Sequence, residues 1–323
     1  MFNNIKVIFL DSEGTIRDEN HIIKKSTIEE IRNLKKIGIH VIITSGLPRF
    51  IVKKISLKAN ASKYIIASNG ADIYNYENKL SIKSFYLNQD FVYQLWKEYK
   101  DKFNFILGVG DKEYATCGNE YNKNPIIIND NNIKENFYQC HISQKKIDKN
   151  TDNVKKEVID LKKIIESEDC ISNINNELLN KLTDINNLTD YDIKLLIKLK
   201  RFLELKKLHE IILNKYENIV SIANQSIDFR KFSYNGETPW FTINSNLVNK
   251  GEGIRQMCLY LNIPKSNVMA FGNDYNDRKM INEVENFFCP SNSCQEILNL
   301  TKNVYDAKDG IDKVLRKVYV YNE

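Results

Sequence analysis

Near its start the sequence carries a short apolar run, residues 7–10, that is broken at once by the polar segment 11–15. A continuous apolar run closed by acidic residues and a glycine is typical of a parallel strand that is buried on both faces and opens into a loop. Such a strand needs helices over both faces of its sheet. The run therefore favours an α/β fold.

The segment that follows is predicted to complete a βαβ unit. Ser26 and the acidic residues after it indicate a helix start, apolar residues at helical spacing carry the helix to Ile37, and Gly38 ends it. Residues 40–44 then predict a second buried strand, and residues 65–68 predict a third. Strand, helix and strand in this order form a βαβ unit.

A second apolar strand with an acidic loop lies towards the other end of the chain. A helix is predicted over residues 253–261, Pro264 breaks it, and the strand 268–271 ends in the polar segment 272–277. Open α/β sheets place their ligands at the carboxyl ends of their strands. We therefore expect this loop and the loop after residue 10 to meet in one crevice.

The middle of the chain has a different texture. Helices are predicted near residues 89–101, 151–167 and 201–215, and strands near residues 139–144, 193–199 and 219–223. The chain has 323 residues, and roughly 150 residues per domain suggests two domains. We predict a Rossmann-like doubly wound parallel core formed by residues 1–80 and 239–323, with an inserted α+β cap domain over residues 81–238.

Composition argues against several classes of protein. Lys and Arg number 47 against 42 Asp and Glu, and this small excess is spread along the chain, so neither nucleic acid nor a membrane surface is an expected partner. No apolar run approaches the ~20 residues of a membrane span, and no export signal is evident. The six cysteines are scattered without zinc or redox spacing, which suggests reduced thiols in a cytoplasmic protein. The oligomeric state stays open.

The loops at the predicted strand ends carry the side chains that chemistry needs. Of two carboxylates at a strand end, such as Asp11 and Glu13, one can attack as a nucleophile while the other moves a proton. Ser45 and Gly46 follow the second strand and can cradle a phosphate with a hydroxyl and free N–H groups. Each segment alone is more often an ordinary turn or helix cap.

The second half of the chain adds a lysine and a group of oxygen ligands. Lys250 precedes the predicted helix and can neutralise a phosphate or hold a carboxylate ionised. Asn273, Asp274 and Asp277 follow the buried strand, and oxygen ligands from two loops suit a hard cation such as Mg²⁺. A surface lysine and a solvated acidic loop are the plainer interpretations.

In this order and spacing the segments resemble the haloacid dehalogenase-like superfamily, in its Cof-like sugar-phosphatase branch with a large inserted cap. The matching motifs are Asp-x-Asp-Gly-Thr at residues 11–15, Thr or Ser before Gly at 45–46, Asn-Lys-Gly at 249–251, and Gly-Asp-x-x-Asn-Asp at 272–277. The resemblance covers roughly residues 5–80 and 238–315, and the cap only in outline.

The resemblance implies a Mg²⁺-dependent phosphatase that acts on a small phosphorylated metabolite, a sugar phosphate or similar phosphomonoester. Asp11 would attack phosphorus and form an aspartyl-phosphate, and Glu13 would carry the proton. The implied roles are catalysis for Asp11, Glu13 and Lys250, phosphate binding for Ser45, Gly46, Lys250 and Asn276, and metal binding for Asp11, Glu13, Asn273 and Asp277.

Three residues depart from the family pattern. Glu13 stands where the family has Asp, Leu47 where Arg is common, and Asn273 where Asp is usual. Glu13 extends the acid/base carboxyl by one methylene, and a misplacement of ~1 Å can cost on the order of 100-fold in rate. An alternative is therefore a degenerate member that binds a phosphorylated ligand without turnover. A further alternative is a partner-binding scaffold built on the lysine-rich residues 145–215, although charged faces are usually only solvated.

Overall fold

The computed structural model describes residues 4–118, 122–145, 159–161, 187–225 and 239–322. Its strands are β1 (Val7–Asp11), β2 (His40–Thr44), β3 (Tyr64–Ala67), β4 (Asp72–Asn75), β5 (Leu80–Ser84), β6 (Phe103–Val109), β7 (Lys112–Ala115), β8 (Ile126–Ile127), β9 (Gln139–Gln144), β10 (Val220–Gln225), β11 (Trp240–Ser245), β12 (Val268–Phe271), β13 (Asn286–Pro290) and β14 (Val304–Tyr305). Its helices are α1 (Lys25–Lys36), α2 (Arg49–Lys58), α3 (Gln89–Tyr99), α4 (Asp190–Tyr216), α5 (Lys250–Leu261), α6 (Gln295–Leu298) and α7 (Asp312–Asn322), and short 3₁₀ helices include Tyr275–Glu283.

The larger sheet has eight strands in the order β14-β13-β12-β1-β2-β3-β4-β5. The strands from β14 to β3 are parallel to one another, and β4 pairs antiparallel with β3 on one side and with β5 on the other. The chain leaves β1 on one side through β2 and returns on the other side through β12, so the topological switch point lies beside β1. This arrangement confirms the predicted α/β fold with a parallel sheet. Ligands of such sheets bind at the carboxyl ends of the strands next to the switch point.

Alternate residues of β1 lie in two apolar clusters, one on each face of this sheet. Ile8 and Leu10 belong to the cluster that includes apolar side chains of α1, α2 and α7. Phe9 belongs to the cluster that includes apolar side chains of α5. Burial on both faces explains why the strand reads as a continuous apolar run and why its polar end at Asp11 falls at the rim of the core.

The smaller sheet has six strands in the order β10-β11-β9-β6-β7-β8, with α3 and α4 contributing to its apolar cluster. The predicted strands at 139–144 and 219–223 and the predicted helix near 89–101 correspond to β9, β10 and α3. The predicted strand at 193–199 is wrong, because these residues belong to α4. Thr189 and Asp192 form a capping box at its start, and Leu196, Leu199 and Leu203 are buried at helical spacing.

Sheet membership shows where the chain passes between the two sheets. The larger sheet includes β5, and the smaller sheet extends to the end of β11. The domain boundaries at 80/81 and 238/239 stay predictions. Most of the predicted helix at 151–167, and most of the segment 145–190, lies outside the described residues. No helix in the described part of the chain is long and apolar enough to cross a membrane.

A buried ion pair lies at the junction between the larger sheet and the cap. Arg49, at the start of α2, donates two hydrogen bonds to Asp72, at 2.6 and 2.7 Å, and a third to the hydroxyl of Tyr138 at 3.2 Å. Its guanidinium carbon lies 3.7 Å from the ring centroid of Tyr74. Leu47 stands where the family commonly has Arg, and the guanidinium two residues further on is committed to this pair.

Replacing Arg49 with Met is expected to lower the free energy of unfolding by about 3–5 kcal/mol, because Asp72 would be left as an unpaired buried charge. The Asp72 side chain is 0% exposed and that of Arg49 is 9% exposed. Urea unfolding measures the difference. The matched control is Lys63→Met, since Lys63 forms an ion pair with Glu77 whose side chains are 43% and 67% exposed, and the loss of this solvent-screened pair should cost much less than the loss of the buried one. Equal losses in the two variants would contradict this account.

Candidate active site

Three charged side chains from separate segments meet at the carboxyl edge of the larger sheet. Asp11 ends β1, Lys250 begins α5, and Asp277 lies in the 3₁₀ helix after β12. The Lys250 ammonium donates to Asp11 Oδ1 and to Asp277 Oδ1, each at 2.6 Å. All three side chains are 6% exposed or less. These three residues, called the charged trio below, share one buried ammonium between two buried carboxylates.

Burial and neighbouring charges shift the pKa values of Asp11 and Lys250. Burial raises the pKa of Asp11 to about 7, and Asp277 adds to this effect while Lys250 opposes it. Burial alone would lower the pKa of Lys250, but the two carboxylates outweigh it and raise that pKa, so the ammonium keeps its proton. One ammonium between two ionised carboxylates leaves a net charge of −1. A divalent cation beside Asp11 would offset this charge and favour the ionised carboxyl.

The loop after β12 holds Asp277 through its own backbone. Asp277 Oδ2 accepts hydrogen bonds from the N–H groups of Asn273 at 2.9 Å and Asp274 at 3.0 Å. Gly272 permits this approach, because a Cβ there would lie 2.5 Å from Asp277 Cγ. Asp274 caps the 3₁₀ helix and accepts from the next backbone N–H. Both Asp277 oxygens are thus engaged by Lys250 and the loop, and metal coordination by Asp277 stays a prediction.

The second oxygen of Asp11 faces the Asn273 side chain. With its nitrogen on this side, the Asn273 amide donates to Asp11 Oδ2 at 3.1 Å, to Thr15 Oγ1 at 3.1 Å and to the Glu13 carbonyl oxygen at 2.8 Å. With its oxygen on this side, the amide accepts from Thr15 Oγ1 at 3.1 Å. Gly14 makes the contact possible, since its φ is +74° and a Cβ there would lie 2.5 Å from the amide.

This corner of the site has the donor chemistry that Mg²⁺ requires. The Asn273 amide lies 3.1 Å from Asp11 Oδ2 and 2.8 Å from the Glu13 carbonyl oxygen. With the amide oxygen turned towards them, three oxygens lie together, and a hard cation would hold such a group. No group of three His, Cys, Asp or Glu side chains that could hold a metal occurs among the described residues. A carboxylate, a carbonyl and an amide fit Mg²⁺, which takes few protein ligands and keeps several waters.

Hydroxyl and amide groups line the neighbouring strand end. Ser45 is buried after β2, and its Oγ shares a 2.8 Å hydrogen bond with Ser12 Oγ and accepts from the Leu47 N–H at 3.2 Å. The Gly46 N–H has no acceptor within the part of the chain that the structure describes. Ser12, Ser45 and Gly46 therefore offer hydroxyls and an N–H to an anion next to Asp11.

A chain of amides runs from the loop after β12 to the cap. Asn276 donates to Asn69 Oδ1 at 3.1 Å, and Asn69 donates to Asn244 Oδ1 at 3.3 Å. Asn244, in β11, in turn donates to the carbonyl oxygens of Ser68 at 3.0 Å and Tyr138 at 3.1 Å. Asn276 was predicted to bind phosphate, and its amide nitrogen here holds this chain. The chain links the placement of the cap to the loop that carries Asp277.

Glu13 has both carboxylate oxygens engaged by basic side chains of its own loop. Oε1 accepts from Arg17 Nη1 in a close ion pair, and Oε2 lies 3.0 Å from His21 Nδ1. The Glu13 side chain is 44% exposed. Among the described residues its carboxylate makes no hydrogen bond with the charged trio. The structure thus brings the Glu13 carbonyl to Asn273, and its carboxylate to Arg17 and His21.

The sequence model of one family matches most of the chain. It describes a haloacid dehalogenase-like hydrolase and matches residues 8–198 and 127–315. The chain belongs to this family. The predicted superfamily is therefore confirmed, and with it a hydrolase and phosphatase family.

Relatives of known name are consistent with that membership. A protein named as a phosphatase in Buchnera aphidicola subsp. Acyrthosiphon pisum is 24% identical over 326 residues, which cover 98% of this chain and 97% of the relative. The 5-amino-6-(5-phospho-D-ribitylamino)uracil phosphatase of Bacillus subtilis is 24% identical over 101 residues, covering 31% of this chain and 40% of the relative.

Solved structures of haloacid dehalogenase-like proteins share the fold over nearly the whole chain. TM0651 from Thermotoga maritima superposes with a TM-score of 0.68 at 16% identity, covering 97% of each chain. The subclass IIB sugar phosphatase BT4131 superposes with a TM-score of 0.63 at 15% identity, covering 97% of this chain and 98% of that one. At these identities the similarity establishes the fold.

Sequence reasoning selected most of the residues that the haloacid dehalogenase fold brings together here. Asp11, Lys250, Asp277 and Asn273 are in contact, directly or through one another. The contacts that it missed are made by Ser12, Arg17, His21, Asn69 and Asn244. Ser12 and Arg17 lie in or beside the first motif, so their position was a signal. Asn69 lies in a segment, residues 68–71, that also resembles the family pattern, whereas nothing in the sequence marks the long-range contact of Asn244.

Replacing Lys250 with Met is expected to lower the free energy of unfolding by about 3–5 kcal/mol at neutral pH, because Asp11 and Asp277 would be left buried, unpaired and mutually repulsive. Urea unfolding without added divalent cation measures the loss. Lys265→Met is the control, since Lys265 is exposed and donates only to the Asn282 carbonyl among the described residues. A loss no larger than that of the control would show that the charged trio does not stabilise the fold.

Proposed function

We propose that this haloacid dehalogenase-like protein is a Mg²⁺-dependent phosphatase that hydrolyses a small phosphomonoester through an aspartyl-phosphate on Asp11. The observation that carries the proposal is that the two carboxylate oxygens of Asp11 have different neighbours. Oδ1 accepts from Lys250, whereas Oδ2 faces the Glu13 carbonyl and Asn273. In the proposed mechanism Oδ2 would bind the cation, and Oδ1 lies beside the lysine that would neutralise a bound phosphoryl group.

In the first step, an ionised Asp11 oxygen attacks phosphorus and the bond to the leaving oxygen breaks. Lys250 offsets negative charge on Asp11 and on the phosphoryl oxygens. Ser45 and the Gly46 N–H are placed to hold those oxygens. Glu13 gives a proton to the leaving oxygen, which departs as an alcohol.

In the second step, water attacks the phosphorus of the aspartyl-phosphate. Glu13 takes the proton from that water, the bond between phosphorus and the Asp11 oxygen breaks, and inorganic phosphate leaves. Asp11 and Glu13 return to their starting states. Bound Mg²⁺, held by Asp11, the Glu13 carbonyl and Asn273, would supply charge neutralisation for the transferring phosphoryl group.

The proposed substrate class is a small phosphorylated metabolite. The relatives that carry names are phosphatases, and BT4131 is a sugar phosphatase. β10 of the cap lies against the 3₁₀ helix that carries Asp277, so the cap is close to the site. A cap placed there would contact the part of the substrate beyond the phosphate.

The test is hydrolysis of p-nitrophenyl phosphate by the purified protein with Mg²⁺ and with EDTA. Turnover is expected with Mg²⁺ and is expected to fall to background in EDTA. Asp11→Asn should also abolish it, because an amide is a poor nucleophile. Asp101→Asn, a change at an exposed cap residue, is the matched control and should keep full activity.

A panel of sugar and polyol phosphates extends this test to substrates that the cap admits. Mg²⁺-dependent turnover of none of them, in a folded protein, would refute the proposal. Turnover that persists in Asp11→Asn would refute the nucleophile assignment while leaving a phosphatase.

A second candidate is a protein that binds a phosphorylated ligand without cleaving it. The position of the Glu13 carboxylate favours it, because both of its oxygens are engaged by Arg17 and His21 and, among the described residues, neither hydrogen-bonds to the charged trio. Glu13→Asp separates the two functions. Activity that appears only in this variant would favour the binding protein, and activity already present in the unmodified protein would favour the enzyme.

Replacing Asn273 with Asp is expected to tighten Mg²⁺ binding on the order of tenfold, since ligand charge helps to set the affinity of oxygen sites for hard cations. Calorimetric titration with Mg²⁺ measures this directly, and the rise in melting temperature with Mg²⁺ measures it independently. Asn299→Asp adds the same charge at an exposed position of the surface and should change neither readout. Equal affinities in Asn273→Asp and the unmodified protein would exclude residue 273 as a ligand.

A further inference from the structure

The loop that follows the nucleophile forms a compact double turn around Glu13. The Arg17 N–H donates to the Ser12 carbonyl at 3.0 Å, and the Gly14 N–H donates to the Arg17 carbonyl at 3.0 Å. Ile16 and Ile23 are buried in the core and anchor both ends of the loop. Glu13, Arg17 and His21 therefore project from a fixed backbone.

Arg17 and His21 are both held towards Glu13. Arg17 follows Glu13 by four residues in this loop, and its side chain is only 12% exposed. Its Nε donates to the His21 carbonyl at 3.4 Å. His21 adopts a φ of +60°, a left-handed conformation that is uncommon for histidine. The Asp18 side chain accepts from the backbone N–H of residues 20 and 22 and so supports this turn.

This contact does little for stability. Glu13 and His21 are 44% and 54% exposed, and ion pairs at such exposure are screened by solvent and contribute little to stability. Its effect on geometry is larger, because two donors on two oxygens fix the orientation of a carboxylate. Glu has one more rotatable bond than the Asp usual at this position, and the two donors restrict that added freedom.

We propose that Arg17 and His21 are positioning residues that hold the Glu13 carboxylate where it can act on the leaving oxygen. The proposal rests on the proposed phosphatase function. The pair draws the longer side chain back along its own loop, which offsets the extra methylene. Neither residue touches the charged trio in the described structure, so each acts through Glu13.

The test compares substrates that differ in their need for a proton. p-Nitrophenol departs readily without one, whereas the alcohol of a sugar or polyol phosphate needs a general acid. Arg17→Gln and His21→Asn are expected to lower kcat for the best sugar or polyol phosphate by about tenfold or more, with KM little changed. For p-nitrophenyl phosphate the loss should stay below about threefold. Arg17→Lys should restore part of the lost rate.

The variants are chosen to leave the fold intact. Asn tolerates the left-handed conformation of residue 21, so His21→Asn removes the ring without straining the turn. Arg255→Gln is the matched control, because it breaks an exposed guanidinium–carboxylate pair with Glu252 on α5 and should affect neither substrate. Thermal unfolding of each variant checks that it is folded.

Four outcomes would overturn the proposal. Equal losses on both substrates would show that Arg17 and His21 only support the site as a whole. No loss would show that Glu13 does not need them, and a gain on the alkyl phosphate would show that they withhold Glu13. Failure of the phosphatase function is distinct, since neither substrate would then be hydrolysed by the unmodified protein. If Glu13→Gln does not discriminate between the substrates, Glu13 is not the acid and the positioning assignment falls with it.

Discussion

The site depends on one buried ammonium. Lys250 is 239 residues from Asp11 in sequence and 27 from Asp277, yet it donates to both at 2.6 Å. A buried charge without a partner costs several kcal/mol, so none of the three side chains can be buried on its own. The ends of β1 and β12 and the start of α5 therefore have to come together for the core to close.

The sheet topology makes that meeting possible. β1 and β12 are neighbours at the switch point, which brings Asp11 next to the loop that carries Asp277. α5 packs on the same sheet through Ile254 and Met257, and this directs its first residue to the strand ends. The amide chain from Asn276 to Asn244 continues the arrangement into the cap. Placement of the cap is thus physically coupled to the loop that carries Asp277.

The sequence was sufficient for the parts of this arrangement that local pattern controls. The strand ending in Asp11 is apolar on both faces and the polar loop follows directly, so the strand, the loop and the position of Asp11 at the strand end could be predicted together. The strand predicted over residues 193–199 is wrong, because a short apolar segment fits a strand or a helix equally well. The structure shows a helix there, with buried leucines at helical spacing from Leu196 to Leu203 and Thr189 as the N-cap residue. Contacts such as Arg49 with Tyr138 depend on tertiary packing, which no local pattern encodes.

Glu13 and Asn273, two departures from the family pattern, lie in the loops next to Asp11, and they differ in their consequence for charge. Glu13 keeps the charge of the usual Asp and finds Arg17 and His21 as partners. Asn273 removes a charge, so the buried site carries two carboxylates against one ammonium instead of three. Its amide can also donate to Asp11 Oδ2 and the Glu13 carbonyl, which a carboxylate cannot do. An amide at residue 273 would therefore attract a cation less than a carboxylate would, and with its nitrogen turned towards Asp11 it ties the loop after β12 to that residue.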